Sequence, residues 1–233
     1  MSIARSFREL ELYDVLANLV PGAVLLIAIG AVVKVEKYVQ FSSGTIAAGV
    51  FLISALVLGH IIQAFASEID ETPTLFGNII RATRGEDVED LSVNITHVEE
   101  AIWPLMKRKF ALPDDYNDYG GMFRLLLSYI ETTPATRALR FQALHSLHRS
   151  MWAVWFLVII LTAVTFLLDC ANILVARSLL VLLGTVLVSF LGILLFRQRK
   201  EKFNRRFIQY AIADFYSDQI EEINETSRMR RGS

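Results

Sequence analysis

The sequence alternates long apolar stretches with polar segments. Three stretches without a charged residue cover positions 43–66, 151–168 and 178–196, and a slightly poorer one covers 15–33. Because an α-helix rises about 1.5 Å per residue, about 20 apolar residues cross a hydrocarbon core of about 30 Å. The pattern therefore predicts an all-α membrane protein with four transmembrane helices.

Short connections group these helices in pairs. Span one, Leu12 to Val35, and span two, Ser43 to Ser67, lie only a few residues apart, which favours an antiparallel hairpin. Spans three and four follow each other at a similar distance. Pro21 is expected in the first turns of span one, where its missing N–H costs little. Ala55 and Gly59 form a small-xxx-small pair that suits close helix packing. We expect two transmembrane helical hairpins.

The polar segment between the hairpins predicts a small helical cytosolic insert. Pro73 and Gly77 indicate an irregular entry. A helix is predicted over 95–110, which Pro104 should kink or divide, and a shorter one over 122–131. We expect the insert to be built from short helices.

Two longer helices complete the pattern. One is expected to run unbroken from Ala135 to Leu168, into span three. After Arg197 the chain continues without proline or glycine, and apolar residues recur every four positions on one face, which predicts an amphipathic tail helix packed on the insert. That face carries Phe203, Phe207, Ala211 and Phe215. The predicted domains are 1–67 (N-terminal segment and first hairpin), 68–150 (cytosolic insert), 151–196 (second hairpin) and 197–233 (cytosolic tail helix).

Lysine and arginine orient the chain. Nine lie in 68–150, nine follow position 196 and two precede span one, whereas the two hairpin loops share three. The positive-inside rule then places both termini and residues 68–150 in the cytosol, with the spans in the plasma (inner) membrane. The net charge of −1 argues against wholesale nucleic-acid binding.

Span two carries polar residues on one side of its helix. Successive 100° steps place Thr45, Gly49, His60, Gln63 and Ser67 within about 60° of one another. Polar groups inside a span form hydrogen bonds between helices or face water, and both interpretations stay open here. Asn18 in span one either satisfies backbone groups near Pro21 or lines a cavity. The pore-lining candidates are Thr45, Gly49, His60, Gln63 and Asn18.

Basic residues of the insert lie close in sequence to aromatic ones. They either attract anionic lipid headgroups or clamp an anionic ligand, such as a nucleotide or short oligonucleotide, with its bases stacked on the rings. The ligand-binding candidates are Arg81, Arg84, Lys107, Arg108, Lys109, Arg137 and Arg140. We find no strong catalytic, metal or cofactor motif, so the sequence predicts no enzyme, no metal site and no cofactor.

The order of the parts, opened by the segment Leu12-Tyr-Asp-Val-Leu-Ala-Asn-Leu-Val-Pro-Gly22, resembles small four-helix membrane effectors of prokaryotic anti-phage systems. It is similar to the membrane component of the Hailong type, whose partner nucleotidyltransferase makes an oligonucleotide signal. The resemblance implies a homo-oligomeric effector or ion channel that acts in antiviral defence under nucleotide signalling. It assigns no ligand-binding residue.

Two other classes of function stay open. One is a non-conducting membrane anchor or scaffold for a cytosolic partner, which needs no ligand and docks through the tail helix. The other is a membrane-embedded enzyme, which would need His60 or His145 as its acid or base.

Overall fold

The described part of the protein is helical. The structure, a computed structural model, describes residues 15–39, 43–68, 72–83, 97–132 and 137–232. Its α-helices are α1 (Val20–Val32), α2 (Gly44–Glu68), α3 (Thr72–Thr83), α4 (His97–Lys109), α5 (Tyr119–Thr132), α6 (Arg137–Cys170) and α7 (Leu179–Gly232). A π-helical turn, Val15–Leu19, precedes α1, and a 3-10 turn, Val35–Lys37, follows it.

Three helices are long and apolar enough to cross a membrane: Gly44–Glu68, Arg137–Cys170 and Leu179–Glu221. They confirm the length and apolar character predicted for spans two, three and four. The fourth apolar segment, Ala17–Val32, forms a shorter helix than span one was predicted to give.

Contacts divide the described chain into two compact units. The apolar unit contains 15–39, 43–68 and 143–203, and the polar unit contains 72–83, 97–132, 137–142 and 204–232. Helices α6 and α7 each contribute to both units. The single helix α7, of 54 residues, contains the predicted span four and the predicted tail helix without a break.

The start of α1 accommodates a proline. Pro21 occupies the first positions of α1, directly after the π-helical turn. A proline deeper in a helix would leave a carbonyl four residues earlier without its hydrogen bond and would clash with it. The predicted position of Pro21 in the first turns is therefore confirmed.

Within the apolar unit, α1 and α2 cross at very short range. A Cβ atom added to Gly22 would overlap the Ala55 carbonyl, and one added to Gly59 would overlap the Asn18 carbonyl. Such backbone-to-backbone approach requires residues without a bulky side chain. The predicted role of the pair Ala55 and Gly59 in close packing is confirmed.

Helices α6 and α7 also pack closely in this unit. The indole ring of Trp155 lies where a Cβ atom on Gly192 would stand. A buried cluster joins α1, α2 and α6 through small and branched side chains. Its buried members are Ala28, Ile62, Ala66, Ala153, Val154 and Val158.

The two hairpin loops are joined to each other. Val33 and Ala176 form an antiparallel bridge, and the Lys34 N–H donates to the Val175 carbonyl at 3.1 Å. The guanidinium of Arg177 pairs with the Glu36 carboxylate at 2.9 Å. The ends of α1 and α6 that lead into these loops are thus fixed together.

The polar unit has its own aromatic and aliphatic core. Phe207 and Phe215 of α7 are 3% and 1% exposed, and they contact Phe123 and Phe110 respectively. The prediction that the tail helix packs on the insert is confirmed. The rest of the core comes mainly from α3, α4 and α5, through Phe76, Ile79, Ile80, Ile102, Met106, Met122, Leu126 and Ile130.

One expectation for the insert was wrong, and one of the two effects predicted for Pro104 is absent. The entry around Pro73 and Gly77 is not irregular but forms α3. Pro73 lies in the first turn, where helices tolerate proline. A Cβ atom added to Gly77 would stand 3.3 Å from the Tyr119 Cβ atom, so α3 and α5 approach each other closely there. Pro104 does not divide α4, and Trp103 and Met106 on either side of it are buried in the core.

Candidate functional site

The polar side of α2 lies on the surface of the chain. Thr45, Gly49, His60 and Ser67 are exposed, and Gln63 is half-buried. A Cβ atom added to Gly49 would meet nothing within 4 Å. The residues of α2 that pack inside the chain are instead Ala55, Gly59, Ile62 and Ala66. Most of the polar side therefore does not hold helices of the same chain together.

Two leucines lie between the polar ends of this side. On an ideal helix, Leu52 and Leu56 fall on the same side as Gly49 and His60, and they are 53% and 41% exposed. We call the whole set the α2 stripe. From the start of α2 to its end it consists of Thr45, Gly49, Leu52, Leu56, His60, Gln63 and Ser67. The stripe is polar at both ends and apolar in the middle.

Asn18 lies at the crossing of α1 and α2. Its side chain is 1% exposed, and its backbone carbonyl packs on Gly59 at the crossing of α1 and α2. Gly59 belongs to the buried face of α2, whereas the stripe is mainly exposed. The structure therefore brings Asn18 to the packed side of α2 at Gly59, one turn before the half-buried Gln63, and not to the exposed part of the stripe.

Two other hydroxyl groups on the long apolar helices bond to their own backbone. Thr162 donates to the Val158 carbonyl at 2.7 Å, and Ser189 donates to the Thr185 carbonyl at 2.7 Å. Such bonds satisfy the hydroxyl without any partner helix. These residues therefore need neither water nor a second chain, and they mark no path through the unit.

Two of the predicted ligand-binding residues share one surface of the polar unit. The Arg81 guanidinium lies 5.1 Å from the centre of the Tyr119 ring, and the Lys107 ammonium lies 5.7 Å from the centre of the Trp103 ring. The two rings are themselves 5.0 Å apart. The result is a row of cation, ring, ring and cation that α3, α4 and α5 build together, which we call the cation–ring row.

The other basic candidates lie elsewhere. Lys109 lies over the Tyr129 ring at 5.5 Å, and Arg137 lies over the Tyr210 ring at 5.6 Å. Arg108 and Arg140 are exposed, and Arg84 lies outside the described residues. The run Lys107-Arg108-Lys109 is thus not a single patch, because neighbours on a helix point about 100° apart.

Sequence reasoning missed the polar contacts that attach α7 to the polar unit. The Tyr129 hydroxyl donates to the Asp218 carboxylate, and the Gln219 amide donates to the Tyr129 hydroxyl at 3.2 Å. Asp214 accepts a hydrogen bond from the Ala138 N–H. The signal for these contacts in the sequence was the spacing of Asp214 and Asp218, which lie four residues apart on either side of the apolar Phe215.

The titratable groups of the described chain form no metal site: no three of its His, Cys, Asp and Glu residues come close enough to hold an ion. No known protein family, curated protein or solved structure matches this chain.

Proposed function

We propose that the chain is a homo-oligomeric membrane channel or membrane-disrupting effector. In this proposal Ala17–Val32 crosses the membrane together with the three longer helices, which gives two transmembrane hairpins. The termini and residues 68–150 lie in the cytosol. The shorter first helix is accommodated by local thinning of the bilayer, which costs only fractions of a kcal/mol per ångström.

The observation that carries the proposal is the exposure of polar residues on α2. Lipid cannot satisfy the exposed imidazole of His60, and polar side chains within a span nearly always face other helices or water. The packed face of α2 is already filled by small and aliphatic residues of the same chain. A second copy, or water enclosed between copies, must therefore cover the stripe.

The middle of the stripe suggests how such a path stays closed. Leu52 and Leu56 would bring rings of apolar side chains to the axis of an oligomer, and apolar constrictions stop ions by excluding water. The polar ends of the stripe would remain hydrated. A closed path with wet ends and a dry centre follows from this order of residues.

The cation–ring row supports an anionic signal in the cytosol. Arg81 and Lys107 supply two positive charges beside the pair of rings. The half-buried Tyr119 is the ring of the row on which a nucleobase would stack, because Trp103 is buried. We propose a nucleotide or short oligonucleotide as the ligand, made by a partner such as a nucleotidyltransferase. The role in antiviral defence comes from the resemblance alone.

The test is ion flux through liposomes that contain the purified protein, combined with an oligomer mass in detergent. Replacing His60 and Gln63 by leucine should abolish flux or cellular toxicity while membrane expression is retained. The control is Ile61→Leu, because Ile61 is 61% exposed on a different side of α2.

Two outcomes would contradict the channel. Loss of assembly in the leucine variants, without any flux in the unmodified protein, would make the stripe an adhesive interface. A monomer that never conducts with any nucleotide tested would favour the non-conducting anchor for a cytosolic partner.

A further inference from the structure

A lysine and a tryptophan meet where α7 leaves its apolar stretch. The Lys200 ammonium lies 5.4 Å from the centre of the Trp152 ring. Phe196 is the last residue before the charged part of α7, and both it and Phe203 contact the His148 ring of α6. These contacts lie within the apolar unit and bring the charged boundary of α7 level with Trp152.

An exposed apolar strip begins at this point on α6. Trp152 stacks on Phe156 with ring centres 6.3 Å apart and ring planes inclined by 15°. Phe156 and Ile160 are both 47% exposed. Residues four apart share a face of a helix, so Trp152, Phe156 and Ile160 form one continuous strip. The strip extends about 12 Å along the helix from Trp152.

The polar end of this strip carries positive charge. Arg197 lies three residues before Lys200 and therefore on the same side of α7. It forms an ion pair of 3.6 Å with Glu201, but both side chains are largely exposed. Exposed pairs of this kind contribute little, so a stronger anion can compete for the guanidinium.

We infer that Arg197, Lys200 and the strip of Trp152, Phe156 and Ile160 form a binding site for an anionic phospholipid. The phosphate lies against Lys200 and Arg197, and one acyl chain runs along the aromatic and aliphatic strip. This inference requires that the apolar unit is in a membrane, but it does not depend on ion conduction.

The geometry favours an anionic lipid over two other ligands. A zwitterionic headgroup would bring its own ammonium to the two cations, which repels. An oligonucleotide would gain from the cations, but Phe156 and Ile160 lie in the charge-free stretch of α6, which its charged backbone cannot follow into a membrane. Lysine and tryptophan are also the residues that occur where a membrane helix meets the headgroups.

Tryptophan quenching by brominated lipids tests the site. The full chain is reconstituted in phosphatidylcholine vesicles with a minority of phosphatidylglycerol, and bromine is placed on the acyl chains of one lipid at a time. We expect brominated phosphatidylglycerol to quench more than its share of the bilayer predicts. The excess should disappear in Trp152→Phe, which assigns it to this residue.

A matched pair of variants separates a site from a diffuse attraction. Lys200→Gln should lower the preference for phosphatidylglycerol about fivefold, the factor that corresponds to about 1 kcal/mol for one cation near an anionic surface. Lys202→Gln makes the same charge change at an exposed position on a different side of α7 and should leave the preference nearly unchanged.

Three results would overturn the inference. In the first, the two brominated lipids quench in proportion to their amounts in the bilayer. In the second, Lys202→Gln lowers the preference for phosphatidylglycerol as much as Lys200→Gln does. In the third, an added oligonucleotide reverses the quenching by phosphatidylglycerol, which would assign the cations to nucleic acid. Ion flux measured on the same vesicles tests the proposed channel separately, so failure of the lipid site and failure of the channel can be distinguished.

Discussion

The Asp214 carboxylate of α7 accepts a hydrogen bond of 3.1 Å from the backbone N–H of Ala138, in the first turn of α6. The first N–H groups of a helix have no partner within that helix. Here the partner comes from a residue 76 positions later in the chain. Asp214 thus acts as an N-terminal cap supplied by another helix of the polar unit.

Removing this cap should destabilise the polar unit. We expect Asp214→Ala to lower the free energy of unfolding by about 1 kcal/mol, the usual cost of losing a capping side chain. Asp214→Asn keeps an oxygen acceptor and should retain most of the stability. Denaturant titration of the purified protein in detergent measures both values, and an equal loss in the two variants would argue that charge, not the cap, is the cause.

The crossing of α1 and α2 gives a prediction with a control on the same helix. A Cβ atom at Gly59 overlaps the Asn18 carbonyl, whereas one at Gly49 meets only open space. We expect Gly59→Ala to destabilise the protein by about 1–3 kcal/mol through overpacking. Gly49→Ala should be neutral or slightly stabilising, because alanine favours the helix. Thermal unfolding in detergent compares the two, and equal melting temperatures would contradict the close crossing.

The aromatic contacts of α7 predict a large effect on the polar unit. Phe207→Ala and Phe215→Ala each remove a ring that is almost fully buried, and such truncations cost about 3–5 kcal/mol. We expect faster proteolysis of the polar unit with unchanged membrane insertion. Ile220→Ala, at a position 39% exposed on the same helix, should have little effect. Unchanged protease resistance in the phenylalanine variants would mean that the rings do not stabilise the unit.

The hydrophobic pattern identified the long apolar helices and the buried face of the tail helix, but not α3. The period of four in Phe207, Ala211 and Phe215 identified a buried face because burial acts on every residue of that face. The prediction of an irregular entry at Pro73 and Gly77 was wrong because it considered only local propensity. It left out the packing against Tyr119, which stabilises the helix.

The polar contacts were harder to predict for a related reason. A hydrogen bond such as that of Asp214 to Ala138 joins residues far apart in the chain, and no local pattern specifies it. The cation–ring row likewise needs three helices in place before Arg81 and Lys107 become neighbours of one pair of rings. Thr45, Gly49, His60, Gln63 and Ser67 of the α2 stripe could be predicted to share a side because a single helix defines it. Their exposure, and the place of Leu52 and Leu56 between them, were not predicted.

The proposed orientation can be checked with two engineered cysteines. In a Cys170→Ser background, Asp115→Cys is placed in the predicted cytosolic segment and Ile173→Cys in the second hairpin loop, at positions that are exposed in the structure. The unequal distribution of lysine and arginine predicts labelling of Ile173→Cys by an impermeant reagent in intact cells. Asp115→Cys should react only after lysis, and its labelling in intact cells would reverse the orientation.

The apolar middle of the α2 stripe, formed by Leu52 and Leu56, gives a test of the proposed constriction. If Leu56 blocks ions by excluding water, Leu56→Ser should let water enter and produce flux without any signal. Leu52→Ser should act in the same direction, since both leucines lie between the polar ends.

Ile61→Ser is the matched control, because Ile61 is more exposed than Leu56 but lies on a different side of α2. Insertion of a serine there should add no flux, and its hydroxyl can bond to the helix backbone as Thr162 does. Flux is measured in liposomes at equal protein density. Signal-independent flux in Leu56→Ser, with none in Ile61→Ser, supports an axial position for the stripe. Equal flux in Leu56→Ser and in the control Ile61→Ser would point to general damage of the bilayer. Signal-dependent flux in the unmodified protein, unaltered by Leu56→Ser, would retain the channel and place its gate elsewhere.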